Sequence, residues 1–254
     1  MAKFHDKRVL ITGGGTGIGR ELVHRFLSEG ARVVACGRRP GPLVSLQQEH
    51  APLGPRLMTI ECDICDPQDV AAMAKRIDGA MGGLDVLVNN AGVEERGKLD
   101  DLELRAWDRV MNVNLRGTFL VTQEFLPLLR KAGRGANVLN LSSSLGSVAE
   151  EGTLAYSVSK AGLEMMTRCC ALDYAREGIR FNALAPGIID TPMQDRSKGE
   201  LGYQEWRSQM EQLHPLQSIG MPKDVSAAAL FLCSAEADWI TGVILHVDGG
   251  ISAR

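Results

Sequence analysis

The chain has 254 residues, 44% of them apolar and 23% charged, a composition that fits one large core and excludes a disordered, collagenous or coiled-coil protein. Its 28 Lys and Arg against 31 Asp and Glu give a formal charge of −3, the wrong sign for a protein whose affinity comes from neutralising nucleic-acid phosphates. No apolar stretch reaches the ~20 residues of a membrane span and MAKFHDKRVLITGG holds no hydrophobic region ending in a cleavage site, so a cytoplasmic protein with no nucleic-acid or membrane partner is expected.

Apolar runs rich in β-branched residues occur at 9–12, 32–36, 57–62, 84–92, 137–143, 179–187 and 243–250. Segments of 3.6-residue periodicity lie between them and predict helices over 17–28, 42–49, 67–81, 102–131, 154–176 and 223–233, the fourth with an irregularity inside it. Asp66 before Pro67 reads as an N-cap followed by proline at the first helical position. Strands alternating with helices, and no hairpin signal between consecutive strands, predict an α/β fold with a doubly wound sheet of about seven parallel strands and helices on both faces. No linker divides the chain, so one domain over 1–254 is expected. Residues 190–215 break the rhythm: this polar segment has one possible short helix and is too long for an ordinary connection, which makes it a candidate lid.

Six scattered cysteines form no disulfide framework. Cys62 and Cys65 lack the second pair that a zinc site needs, and Cys169 and Cys170 would point about 100° apart on a helix; all six are expected to be reduced and structural. His5, His24, His50, His214 and His246 show no ligand spacing, so no metal is expected.

Directly after the first strand stands Thr12-Gly13-Gly14-Gly15-Thr16-Gly17-Ile18-Gly19, followed by a helix whose Leu22, Val23, Phe26 and Leu27 make the buried face. Glycines let a backbone turn and approach a pyrophosphate, and the helix N-terminus meets its charge with free N–H groups and a positive dipole. The placement between strand and helix predicts a Rossmann-type dinucleotide site lined by Gly13, Thr16, Gly17, Ile18 and Gly19. About 20 residues on, where an acid would accept the ribose hydroxyls of NAD, the chain reads Cys36-Gly37-Arg38-Arg39. Two guanidiniums beside a glycine suit a 2′-phosphate, so NADP(H) is the preferred cofactor, with NAD(H) as the alternative. Tyr156 and Lys160, at i and i+4, share one helix face, and the ammonium is expected to draw the phenol's pKa down towards the working pH.

Taken in order from Val9 to Gly250, TGGGTGIG, NNAG (89–92), Asn114, LSSSLG (141–146), Tyr156 with Lys160, and PGIIDTPM (186–193) resemble the short-chain dehydrogenase/reductase family, in its type of about 250 residues. The resemblance implies that Ser143, thirteen residues before the tyrosine, binds the substrate carbonyl, that Tyr156 transfers the proton, and that Lys160 tunes the phenol and holds the nicotinamide ribose. It implies that Asn114 interrupts its helix and anchors a water that feeds protons to Lys160. It assigns Asn90, Ala91 and Gly92 to the cofactor after the fourth strand, Asp63 with Ile64 to the adenine, and Thr191 to the carboxamide, with Pro186, Gly187 and Ile189 beside it. The implied reaction is hydride transfer between nicotinamide and a carbonyl or secondary alcohol of a small molecule, in a homotetramer.

The C-terminal half is most similar to 3-oxoacyl-carrier-protein reductases and related sugar and alcohol dehydrogenases. Arg176 followed by acidic Glu177 departs from the basic residues such reductases often keep near the end of that helix. The acidic pairs Glu94/Glu95 and Glu150/Glu151 follow crevice-forming strand ends and are read as a solvated rim, or as partners for substrate hydroxyls. Tyr203, Trp206, Met210 and Leu213 are candidate closing residues of the lid. The alternatives to an NADP(H)-dependent carbonyl reductase are an NAD-preferring dehydrogenase and a non-catalytic dinucleotide sensor.

Overall fold

Alternation decides which side each strand feeds. In β1 (Arg8–Thr12), Val9 and Ile11 enter one core and Leu10 the other, all fully buried, so the strand is covered on both faces. In the computed structural model, which describes residues 2–253, β1 lies in an open sheet with β2 (Arg32–Gly37), β3 (Leu57–Glu61), β4 (Val86–Asn89), β5 (Asn137–Leu141), β6 (Arg180–Pro186) and β7 (Ile244–Val247). Every pairing is parallel and the order is β3-β2-β1-β4-β5-β6-β7, the seven-stranded sheet that the sequence predicts. Met1 and Arg254, the ends of the expected unit, lie outside the described residues. The strand order turns back between β1 and β4, which opens a crevice above their C-terminal ends.

The helices in chain order are α1 (Gly17–Ser28), α2 (Pro40–Glu49), α3 (Pro67–Met81), α4 (Leu104–Met111), α5 (Thr118–Ala132), α6 (Leu154–Tyr174), α7 (Asp195–Leu201), α8 (Tyr203–Leu213) and α9 (Pro222–Cys233). One face of the sheet is covered by Leu22 and Phe26 of α1, Leu43 and Leu46 of α2, and Val225 and Ala229 of α9. The other takes Val70, Met73 and Ile77 of α3 with Val121, Phe125 and Leu128 of α5. The Asp66 side chain accepts from Gln68 N at 2.8 Å, the expected cap of α3.

Strand ends shift by one to three residues, β5 and β7 stopping at Leu141 and Val247 rather than at 143 and 250, and three further differences shape the site. The segment expected as one helix over 102–131 is α4 and α5 joined by a π-helical stretch, Asn112–Gly117, at the expected irregularity. The segment 190–215 holds two helices, α7 and α8, parted by Gly202 at φ 79°, where the sequence predicts at most one. β4 stops at Asn89 rather than running to 92, because the N–H groups of Asn90 and Ala91 leave the ladder and donate to the Thr12 hydroxyl, each at 3.0 Å.

Between sheet and helices runs a buried polar chain. Asn89 Nδ2 donates to Thr122 Oγ1 and Asn140 Oδ1 at 3.0 and 2.9 Å, and Asn140 Nδ2 donates to Thr167 Oγ1 at 2.8 Å, tying β4 and β5 to α5 and α6. All six cysteines are free. Among the described residues no helix is long and apolar enough to cross a membrane.

Candidate active site

Every predicted site residue lies at or beyond the C-terminal end of a strand, or on a helix that faces it. The first is the turn from β1 into α1. A Cβ at Gly19 would stand 2.2 Å from the Gly13 carbonyl oxygen and 2.5 Å from Asn90 Nδ2, so only glycine lets the helix approach this loop. Thr16 precedes α1 without a side-chain cap, and its first turn, Gly17 to Arg20, carries no acid. The helix thus offers its positive end and its first N–H groups to an anion in the crevice. Asn90 Nδ2 donates to the carbonyls of Thr12 and Gly13 at 2.9 and 3.2 Å, clamping the two loops together. Thr191 packs against Gly17, 3.3 Å from where a Cβ would be, and Gly187 lies against Asp248. Pro186 ends β6.

Beyond β2, Arg38 and Arg39 are exposed, and a Cβ at Gly37 would meet only open space. The Arg39 guanidinium donates to Thr16 Oγ1 at 3.4 Å, reaching back to the phosphate loop. Arg38 lies 3.8 Å from Asp63 Oδ2. The Ile64 side chain is buried against Gly117, and Ile189 is buried against Gly220, which leaves both to meet a ligand through backbone only.

The reactive cluster stands on β5, α6 and the π-helical stretch. Tyr156 and Lys160 are both buried. Lys160 Nζ donates to the Leu141 carbonyl at 2.7 Å and sits 5.5 Å from the centre of the Tyr156 ring. Ser142 is committed elsewhere, donating to Glu164 Oε1 at 2.9 Å. Ser143 Oγ instead accepts from Leu145 N at 3.2 Å, and its own hydroxyl is directed at the Tyr156 phenol. Asn114, fully buried, accepts from Val93 N at 2.8 Å and donates to Val93 O and Ser159 Oγ at 2.9 and 3.0 Å. Its Oδ1 and Lys160 Nζ flank Gly92 within 3.6 Å of where a Cβ would be.

The electrostatics correct one expectation. Burial, reinforced by the Glu94 carboxylate, pushes the Tyr156 phenol above its ordinary value, although a hydrogen bond with Ser143 pulls the other way. Burial also lowers Lys160 to about 8, against the raising influence of Glu164. The ammonium is hydrogen-bonded to a backbone carbonyl rather than to the phenol oxygen, so desolvation outweighs its attraction for a phenolate. In this structure Tyr156 keeps its proton at neutral pH.

Sequence reasoning missed two residues here. Thr12 ends an apolar strand, and its hydroxyl organises the Asn90 loop; a buried threonine at that point was the available signal. Glu164, four residues after Lys160 on the same helix face, is buried and accepts from Ser142 and Ser147 Oγ at 2.9 and 3.2 Å. Glu94 departs from the solvated-rim reading: its side chain is 17% exposed beside Arg96 at 3.2 Å, and burial raises its pKa. Glu95, Glu150 and Glu151 do pair at the rim with Arg109, Arg96 and Lys98.

Above the crevice, Asp190 anchors the 190–215 segment. It lies 2.7 Å from Lys198 Nζ and accepts from Tyr203 Oη at 2.8 Å, while Lys198 also covers the ring of the buried Trp206 at 5.1 Å.

The family model described as enoyl-(acyl carrier protein) reductase matches residues 13–252. The cis-4-hydroxycyclohexanecarboxylate dehydrogenase of Sinomonas cyclohexanicum is 35% identical over 98% of this chain and 98% of its own. The 3-oxoacyl-[acyl-carrier-protein] reductase of Thermotoga maritima is 34% identical over 98% and 99%. Among solved structures, the ligand-free aldohexose dehydrogenase of Thermoplasma acidophilum superposes with a TM-score of 0.90 at 35% identity, covering 100% of this chain and 96% of that one. With the parallel sheet, the glycine turn at its switch point and the buried Ser143, Tyr156 and Lys160, these matches show that the chain belongs to the short-chain dehydrogenase/reductase family of oxidoreductases.

Proposed function

We propose that this protein is an NADP(H)-dependent oxidoreductase that interconverts a ketone and a secondary alcohol on a small polar substrate. The observation that carries this reading is the pair of buried groups, Tyr156 held protonated and Lys160 beside it, facing the crevice beside the uncapped end of α1. The glycine cradle at Gly13 and Gly19 and the open helix terminus fit a dinucleotide pyrophosphate. Gly13, Thr16, Gly17, Ile18 and Gly19 would hold it, with Asn90, Ala91 and Gly92 along its length, Asp63 and the Ile64 backbone at the adenine, and Pro186, Gly187, Ile189 and Thr191 at the nicotinamide end. Such a cofactor supplies or accepts the hydride.

The chain's own residues do the rest. Ser143 donates its hydroxyl proton to the substrate oxygen, which takes the place of the phenol as its partner, and fixes its position. Tyr156 gives that oxygen a proton as negative charge gathers on it. Lys160 then stabilises the phenolate left behind, and Asn114, buried beside it, holds the proton route to solvent. Preference for the 2′-phosphate rests on Arg38 and Arg39 around the open space at Gly37, at a strand end that carries no acid of its own. The pairing of Arg38 with Asp63 favours a second reading, an NAD-preferring enzyme in which that guanidinium is already engaged.

A polar substrate is favoured because Glu94, mostly buried near Tyr156, offers a carboxylate to hydroxyl groups, as would suit the sugar or ring alcohol named for two relatives. A carrier protein is disfavoured, because Glu177 takes up Arg130 in a two-point pair at the end of the α6 segment. Segment 190–215 serves as the lid. Six free cysteines fit the reducing cytoplasm. Leu104, Phe119, Met165 and Leu172 stand exposed on α4, α5 and α6, and Trp239 is wholly exposed before β7, which fits a homotetramer assembled through both regions. The test is consumption of NADPH and of NADH across keto sugars, cyclic ketones, steroids and 3-oxoacyl thioesters. Turnover with NADPH on a polar ketone is expected; cofactor binding without turnover on any class would turn the reading towards a non-catalytic sensor.

A further inference from the structure

Two histidines that the sequence keeps apart meet on the outer face of the sheet. His24 lies near the C-terminal end of α1, and Glu49 and His50 end α2. His24 Nδ1 and His50 Nε2 are 2.7 Å apart, and the two rings pack with centroids 4.7 Å apart. Glu49 Oε1 lies 3.6 Å from His24 Nε2, while its other oxygen is held by the Arg20 guanidinium. One ligand atom from each of the three residues lies within 4.8 Å of the others.

We propose that His24, Glu49 and His50 bind one divalent transition-metal ion of the zinc class, which clips the end of α1 to the end of α2. Two imidazoles and one carboxylate are a ligand set of that class, with a solvent-facing position left for water. Metal–nitrogen bonds of about 2.0–2.1 Å at a tetrahedral angle place two ligand nitrogens about 3.3 Å apart. The two nitrogens therefore need to part by about 0.6 Å from their present hydrogen bond, with the rings turning so that both lone pairs meet the ion, which replaces the proton they share. Arg20 orients the Glu49 carboxylate as outer groups do in metal sites, and Glu49 in turn offsets the charge of Arg20 towards the cation. The site lies apart from Ser143, Tyr156 and Lys160 and does not enter the reaction.

The experiment is a titration of the tag-free, chelator-stripped full chain with Zn(II) by calorimetry and with Co(II) by visible absorption. One ion per chain is expected, with a higher thermal transition in zinc and a cobalt spectrum free of thiolate charge-transfer bands. His24→Gln and His50→Gln should each weaken binding by about tenfold or more while leaving the metal-free transition near its original temperature. Glu49→Gln, at an exposed helix end, is the third arm and should weaken binding as well should either histidine variant fail to fold. No saturable binding, binding unchanged in these variants, or thiolate bands placing the ion on cysteine would each overturn the proposal.

Discussion

At the scale of single residues, the active-site cluster trades stability for chemistry. Lys160 has an ordinary value of 10.5 and stands at about 8 when folded. Below pH 8 both states hold the proton and the folded state bears the full cost of a buried ammonium. Between 8 and 10.5 the unfolded chain holds more protons, so stability rises with pH. Relative to Lys160→Met, which does not titrate, the wild type should gain roughly 2 to 3 kcal/mol from pH 8 to pH 10, read by denaturant unfolding at each pH. A constant gap would mean that the ammonium is solvated. Tyr156→Phe should lower kcat by about 10²- to 10⁴-fold with the fold intact, because it removes a buried proton donor and nothing else. Arg38→Ala should weaken NADPH by roughly 10- to 100-fold, the loss of one charge-assisted hydrogen-bonding group, and leave NADH unchanged; equal losses for both would remove the 2′-phosphate assignment.

At the scale of elements, the crevice depends on polar contacts that hold strand ends apart from their ladders. Thr12 supplies one acceptor to two N–H groups, and Thr12→Val would leave both unpaired. A loss of about 1–3 kcal/mol per orphaned group is expected in unfolding, with weaker dinucleotide binding because the Asn90 loop is released. Gly19→Ala should act on the same turn more severely, since its Cβ would meet the Gly13 carbonyl oxygen at 2.2 Å, and backbone cannot yield as a side chain does. Its expected signature is lost cofactor binding in fluorescence titration together with a lower thermal transition. The order of the elements was legible in the sequence because β-branched runs and 3.6-residue periods alternate without ambiguity. Their ends were not: β4 stops where Thr12, distant in sequence, captures two N–H groups, and Gly202 splits the helix that the polar composition of 190–215 only hinted at.

At the scale of the whole molecule, the exposed apolar side chains matter most. Trp239 is 100% exposed and Leu172 81% exposed. Burial of such side chains is worth about 1.5–3 kcal/mol each, so surfaces that carry them are suited to self-association. Light scattering should give a tetramer for the wild type, and Leu172→Glu or Trp239→Glu should each shift it to a smaller species with the circular dichroism of the fold unchanged. A wild-type monomer would remove the assembly reading.

The sequence by itself determined the glycine turn and the pairing of Tyr156 with Lys160, each a local matter of spacing along one element, and the α/β class and the family, which follow from the order of such local patterns along the chain. Tertiary structure alone decided the rest. The direction of the Tyr156 and Lys160 shifts follows from burial that no local pattern reveals. Ser142 is turned away from Tyr156 because Glu164, from another element, accepts its proton, while Ser143 keeps its hydroxyl beside the phenol. His24 and His50 meet only because α1 and α2 pack on one face of the sheet, and proximity between elements is a property of the folded chain.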